Sequence, residues 1–123
     1  MSVGTKSIFE TKVREIGKEA QDFKSINMLI FFGPEAPSIL KDSCFIIDLN
    51  DVNGEIKKGM TLRIGDHDYL ITAVGNEVNT NLKNLGHIAV RFTGDEAAEL
   101  PGSLYVEKKE FPNIKIGTRV TIY

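Results

Sequence analysis

"IKKGMTLRI" (residues 56–64) returns near the end of the chain as "IKIGTRVTI" (residues 114–122), and this pair of stretches carries the main prediction of the fold. Each stretch places a glycine, Gly59 or Gly117, just before a run of residues with alternating apolar positions. Glycine readily adopts positive φ in a tight turn, and a period of two is typical of a strand with one face on a core. The pair therefore predicts two turn-and-strand units, as in a small barrel or folded-over sheet.

The rest of the chain is cut into short segments by eleven glycines, four prolines and many Asn and Asp residues, which is typical of β-rich folds. Period-two alternation in "SIFETKVREI" predicts a half-buried strand. Further strands are predicted in "INMLIFFG" (26–33), "CFIIDL" (44–49), "YLITAV" (69–74) and the run that follows His87. The expected fold class is therefore mainly β: a small barrel-like or folded-over sheet of short strands with one or two short helices.

One of these helices is predicted in "GNEVNTNLKNLG" (75–86). Asn76 is the expected N-cap, because its side chain can accept a hydrogen bond from the first free N–H groups. Val78, Leu82 and Leu85 lie near helical spacing, and Gly86 occupies the usual C′ position. We expect a helix of about two turns.

Composition limits the function classes. A chain of 123 residues is expected to form one domain (residues 1–123), and 41% apolar residues argue against disorder. Fifteen Lys and Arg residues against 17 Asp and Glu residues give a net charge of -2, and the two signs are interleaved. Because binding to phosphate backbones needs a basic surface, we expect no nucleic-acid partner.

The single Cys44 has no second thiol for a disulfide or a closed zinc site, and the longest apolar run, "MLIFF", is far too short for a membrane helix. The N-terminus lacks a basic-then-apolar signal pattern. We therefore expect a soluble cytoplasmic protein that needs no metal or cofactor. Cys44 itself lies in an apolar run and is interpreted as buried and inert.

His87 is the leading candidate for chemistry. In the strand that follows, Ile88, Val90 and Phe92 occupy one face, which leaves His87 and Arg91 on the other, accessible face. A neutral imidazole can attack a phosphoryl group, and a guanidinium can hold the phosphoryl oxygens through the transition state.

Backbone N–H groups near Gly86 are a second candidate cradle for the phosphoryl oxygens. A position after a helix C-terminus, however, favours imidazolium and disfavours a bound anion. On dipole grounds Gly75 and Asn76, at the other end of the helix, form the better anion cradle. The alternative for His87 is a capping or hydrogen-bonded role without chemistry, and Arg91 is alternatively a solvated strand charge.

His67 is the second candidate. It lies in "GDHDY", where glycine and aspartates predict a hairpin turn, and Asp66 and Asp68 on either side favour its charged form. This interpretation makes His67 a solvated turn residue.

The order and spacing of "ITAVG" (71–75), "NLKNLGH" (81–87), "RFTG" (91–94) and "LPG" (100–102) carry a family resemblance. Together with "MLIFF", "GPEAP" and "DSCFIIDL", they resemble the IIA component of the glucitol/sorbitol phosphotransferase system (PTS) over nearly the whole chain. The resemblance implies a small β-rich cytoplasmic phosphocarrier. Such a protein accepts a phosphoryl group from the phosphocarrier HPr and passes it to a IIB domain, while a membrane component imports the sugar.

The sequence departs from this family at one point. Some members carry histidines in the strand after the Cys-Phe pair, one of them regarded as the phosphorylated residue, and the matching positions here are Ile47 and Leu49. His87, within "LGH", is then the preferred acceptor, His67 the second, and Asp48, as an acyl phosphate, the third.

Two further expectations follow. The alternative function is a non-catalytic regulatory or binding module that retains the fold but has lost the phosphoacceptor histidine at Ile47. A homodimer is also expected, because a sheet of many short strands leaves open edges that a second chain can cover.

Overall fold

Short strands with alternating burial form most of the structure, a computed structural model that describes residues 7–123. The eight strands are β1 (Phe9–Ile16), β2 (Met28–Phe32), β3 (Phe45–Ile47), β4 (Thr61–Ile64), β5 (His67–Val74), β6 (Ile88–Phe92), β7 (Ser103–Val106) and β8 (Arg119–Ile122). They close into a barrel in the order β1-β3-β2-β6-β7-β5-β4-β8. A 3₁₀ helix (Asp22–Ile26) and two α-helices, α1 (Ser38–Lys41) and α2 (Val78–Leu85), connect strands. The mainly β, barrel-like prediction is confirmed.

The two repeated stretches form neighbouring strands of the barrel. Gly59 and Gly117 both have positive φ, at 95° and 93°, so each occupies a turn conformation that glycine adopts without strain. The strands that follow them, β4 and β8, pair antiparallel, with Leu62 opposite Ile122. Both of these side chains are fully buried. The predicted turn-and-strand units are therefore confirmed and lie side by side.

Inward-facing side chains from the strands fill the barrel. In β1, Phe9, Thr11 and Val13 are buried while the residues between them are exposed, as the period-two pattern predicts. Tyr69 is fully buried, and its hydroxyl group donates a 2.6 Å hydrogen bond to the backbone oxygen of Glu110. This bond satisfies the one polar atom that the ring brings into the core.

A second, smaller apolar cluster lies on the outer face of the barrel. It consists of Phe32, Ala36, Cys44 and Ile46, with Ile30 packed against it. Strand β2 is therefore covered on both faces, as its continuous apolar run predicts. Cys44 is buried as expected, and this burial raises the pKa of its thiol, which disfavours the reactive thiolate.

Helix α2 ends as predicted and begins later than predicted. Gly86 is the left-handed C-cap, with φ of 69°. The expected Asn76 N-cap is wrong: Glu77 is the cap residue, and no side chain caps the helix. The reason is tertiary, because the N–H groups of Gly75 and Glu77 donate to the backbone oxygens of Ser103 and Pro101, which places the first turn.

The closed barrel also corrects the argument for a homodimer. Strand β8 pairs with β1 on one side and with β4 on the other, so the ring of described strands has no open edge for a second chain to cover.

Among residues 7–123, no helix combines the length and the apolar character that a membrane crossing requires.

Gly75 is predicted to be indispensable for packing α2 against the barrel. A Cβ atom at Gly75 would lie 2.3 Å from the backbone oxygen of Pro101, whereas a Cβ at Gly102 would meet only a side-chain nitrogen at 3.8 Å. We expect Gly75→Ala to lower the free energy of unfolding by about 2 to 3 kcal/mol, because the backbone must shift. Urea denaturation measures this change, with Gly102→Ala as the matched control at about 0.5 kcal/mol or less. Equal losses in both variants would contradict the prediction.

Candidate functional site

His87 lies at the junction between α2 and β6, where two backbone segments approach closely. The N–H of Gly33, just after β2, donates a 2.8 Å hydrogen bond to the backbone oxygen of Leu85. A Cβ atom at Gly86 would lie only 2.9 Å from the Gly33 nitrogen. This approach brings β2 against the start of β6 and places the His87 ring beside Phe32, with the ring centroids 4.3 Å apart and the planes 12° from parallel.

The His87 imidazole is half-buried and is neutral at physiological pH. Burial lowers its pKa from the ordinary value of 6.5. The sequence suggested that the C-terminal end of α2 would favour imidazolium, whereas loss of water around the ring acts in the opposite direction. Among the hydrogen bonds between described side chains, none involves the His87 ring. The nitrogen lone pair is therefore available to an incoming group.

Arg91 shares the outer face of β6 with His87 but does not contact it. A strand rises about 3.4 Å per residue, so the two Cα atoms are about 13 Å apart. The Arg91 Nε donates a 2.9 Å hydrogen bond to Oγ of Ser103 on the neighbouring strand β7. This bond directs the guanidinium sideways while leaving its two terminal nitrogens available to an anion.

The predicted phosphate-cradling residues do not converge on His87. The N–H groups of Gly86 and Gly75 already donate to the backbone oxygens of Leu82 and Ser103, at 3.0 and 2.9 Å. Asn76 lines an open cleft of about 560 Å³ at the other end of α2. Eight helical residues separate the two ends by roughly 12 Å, so Gly75 and Asn76 are remote from the imidazole.

His67 lies at the opposite end of the barrel from His87. It is the exposed first residue of β5, next to the turn. In the sheet, Ile71 of β5 pairs with Val106 of β7, which pairs with Phe92 at the end of β6. Strand β5 runs antiparallel to β7, and β6 runs parallel to it. His67, which begins β5, therefore lies at the end of the barrel where β6 finishes at Phe92. His87 lies at the opposite end, just before β6 begins. The two histidines therefore cannot serve one site within the same chain.

Ile47 and Leu49, which the family resemblance matched to histidines, lie at the same end of the barrel as His87. Ile46 pairs with Phe32, and Phe31 pairs with Ile88, so Ile47 and the residues after it lie at the His87 end, two strands away. Ile47 itself is 1% exposed and packs in the barrel core. Leu49 is 44% exposed.

Asp48, between these two positions, is already engaged. The Nε of Arg14 donates to both carboxylate oxygens, at 2.8 and 2.9 Å. This hydrogen bond and the Arg14 charge lower the pKa of Asp48.

Within residues 7–123, no group of three His, Cys, Asp or Glu side chains is arranged to hold a metal ion.

Sequence reasoning missed Phe32 and Gly33 as neighbours of the imidazole. The only local signal was the apolar strand "MLIFFG", which is predicted to be buried on both faces and ends in glycine. Nothing in that pattern names the residue across the strand, because partner and register depend on the whole barrel.

Comparison with known proteins agrees with this fold and with the motif pattern. The family model described as "PTS system glucitol/sorbitol-specific IIA component" matches residues 8–121. Glucitol/sorbitol-specific EIIA components from Escherichia coli (strain K12) and Shigella flexneri are each 39% identical over 99 residues, which cover 80% of this chain and 80% of each relative. The crystal structure of a PTS system IIA component from Enterococcus faecalis V583 is 34% identical, with a TM-score of 0.81, over 91% of this chain and 97% of that one. The chain thus belongs to the family of PTS glucitol/sorbitol-specific IIA components.

Proposed function

We propose that this IIA component is a cytoplasmic phosphocarrier with His87 as its phosphoacceptor. It accepts a phosphoryl group from HPr and passes it to a IIB domain during uptake of glucitol/sorbitol or a related sugar; the membrane component is reached only indirectly. The observation that carries the proposal is the His87 ring, which is neutral, partly exposed and without a hydrogen bond to another described side chain. A family role as a sugar PTS component supports this chemistry.

The proposed transfer exchanges one N–P bond for another. The lone pair of an unprotonated His87 nitrogen attacks the phosphorus of the phosphohistidine of HPr. The new N–P bond forms as the donor N–P bond breaks, and the donor imidazole keeps the bonding electron pair. In the second half, a nucleophile of the IIB domain attacks the same phosphorus, and His87 recovers its lone pair.

Arg91 is proposed to stabilise the transferred group. The phosphoryl oxygens carry negative charge throughout a loose transition state, and a guanidinium can bind two of them at once. Arg91 lies on the same outer face as His87, with its terminal nitrogens not committed by the Nε bond to Ser103. A docked partner would exclude water and strengthen this attraction.

His67 is ranked second because it is exposed at the turn before β5, where no described aromatic ring stacks on the imidazole to hold its plane. Asp48, the third candidate, would have to leave Arg14 before it could attack phosphorus.

Phosphorylation is predicted to require His87 and not His67. Incubation with phosphoenolpyruvate, enzyme I and HPr should label the wild-type chain with one phosphoryl group that is labile in acid and stable in base. His87→Ala should lose this label, and His67→Ala should retain it. Intact-protein mass spectrometry measures both.

The E. coli relative serves as the positive control for the donor proteins. Label that persists in His87→Ala, or that disappears in His67→Ala alone, would contradict the assignment. An unlabelled wild-type chain beside a labelled control would instead favour the non-catalytic binding module.

Acceptance is predicted to persist below the pH at which an ordinary histidine becomes charged. Burial lowers the His87 pKa below 6.5, so the nucleophilic neutral form dominates down to that lower value. The chain has two histidines, so His67→Ala leaves His87 as the only imidazole for NMR titration. We expect a titration midpoint below 6.5, and a single-turnover acceptance rate that falls only as pH drops through it. A midpoint at or above 6.5 would contradict this prediction.

A further inference from the structure

We infer that Phe32 is a positioning residue for His87, whose stacked ring sets the plane of the imidazole for in-line attack on phosphorus. The inference rests on the proposed function of His87. The two ring centroids are 4.3 Å apart and the planes differ by 12°. A stack of this kind covers one face of the imidazole and leaves its edge, where both nitrogens lie, uncovered.

Phe32 can act as a fixed support because it is itself immobilised. Its side chain is 7% exposed and packs with Ala36, Cys44 and Ile46 in the outer apolar cluster. Densely packed side chains keep one rotamer, so the face that Phe32 presents to His87 has a constant direction. With so little exposed surface, Phe32 offers almost nothing to a docking protein.

The backbone segments that carry the two rings approach each other closely. A Cβ atom at Gly33 would lie 2.5 Å from the backbone oxygen of Leu85, and one at Gly86 would lie 2.9 Å from the Gly33 nitrogen. Both positions therefore need glycine for the close approach of β2 and the α2 C-cap. Phe31 pairs with Ile88, which makes Phe32 and His87 the next pair along the two strands.

Catalysis gains from such a support because reacting atoms must be aligned before transfer. The imidazole edge must point at phosphorus along the line of the breaking bond, and a freely rotating ring would satisfy this only part of the time. Burial of the imidazole lowers its pKa and so favours the neutral form, and the Phe32 ring covers one of its faces.

Steady-state transfer from phosphorylated HPr through this chain to an excess of the IIB domain tests the inference. We expect Phe32→Leu to lower kcat roughly tenfold with an unchanged KM for HPr, because orientation is lost and docking is not. Phe32→Met, with an unbranched side chain, is a second variant with the same expected result. Phe32→Tyr keeps the stacked ring and should retain the wild-type kcat.

Phe92→Leu is the matched control for loss of a buried ring. Phe92 is 1% exposed, lies at the other end of β6 and packs edge-on against Tyr69 at 4.9 Å. This variant should be destabilised without a change in kcat. An equal fall of kcat in Phe92→Leu and Phe32→Leu would reduce Phe32 to a structural role and overturn the inference.

Proton NMR measures the chemical shifts of the His87 ring, which report its position against Phe32 and do not follow the stability of the fold. In the His67→Ala background the His87 ring protons should show an upfield ring-current displacement, which is lost in Phe32→Leu and kept in Phe32→Tyr and Phe92→Leu. Unchanged ring-proton shifts or an unchanged kcat in Phe32→Leu would overturn the role of Phe32 while His87 remains the acceptor. A wild-type chain that accepts no phosphoryl group overturns the proposed function and, with it, this inference.

Discussion

The pairing of β8 with both β1 and β4 closes the barrel, and the rest of the structure depends on that closure. Once every strand has two neighbours, the backbone N–H and C=O groups are satisfied around the ring and the inward side chains have one common interior. Phe9, Leu62 and Ile122 meet there although they lie far apart in the chain. Functional side chains are consequently confined to the outer face and to the two ends.

Closure also explains why the candidate acceptor is at one end. Each strand contributes alternate residues to the outside, and Phe32, Ala36, Cys44 and Ile46 form an apolar cluster on the outer face. His87 lies at the border of this cluster, with one ring face against Phe32. At this border the imidazole is partly buried, which lowers its pKa and favours the neutral form. It is also partly exposed, so that a partner protein can reach it. The core lacks this access, and His67 lies in an exposed turn.

Ile47 and Leu49, the positions that the family resemblance matched to histidines, lie at the same end of the barrel as the proposed acceptor. Ile47 is buried in the core, and Leu49 is exposed. The proposed function therefore keeps the phosphoryl group at this end of the barrel, with His87 as the residue that accepts it.

The sequence by itself determined the mainly β class, the glycine turns at Gly59 and Gly117, the C-cap at Gly86 and the outward face of His87, because each depends on residues that are close in the chain. It placed the α2 cap at Asn76 and grouped Gly75 with the phosphate cradle, and only the structure showed that bonds to Pro101 and Ser103 set that end of the helix. Strand order, register and the contact of Phe32 with His87 were likewise decided by tertiary structure. Such contacts join distant segments, and the free energy of closing the whole barrel, rather than any local preference, selects among the pairings that the same strands could make.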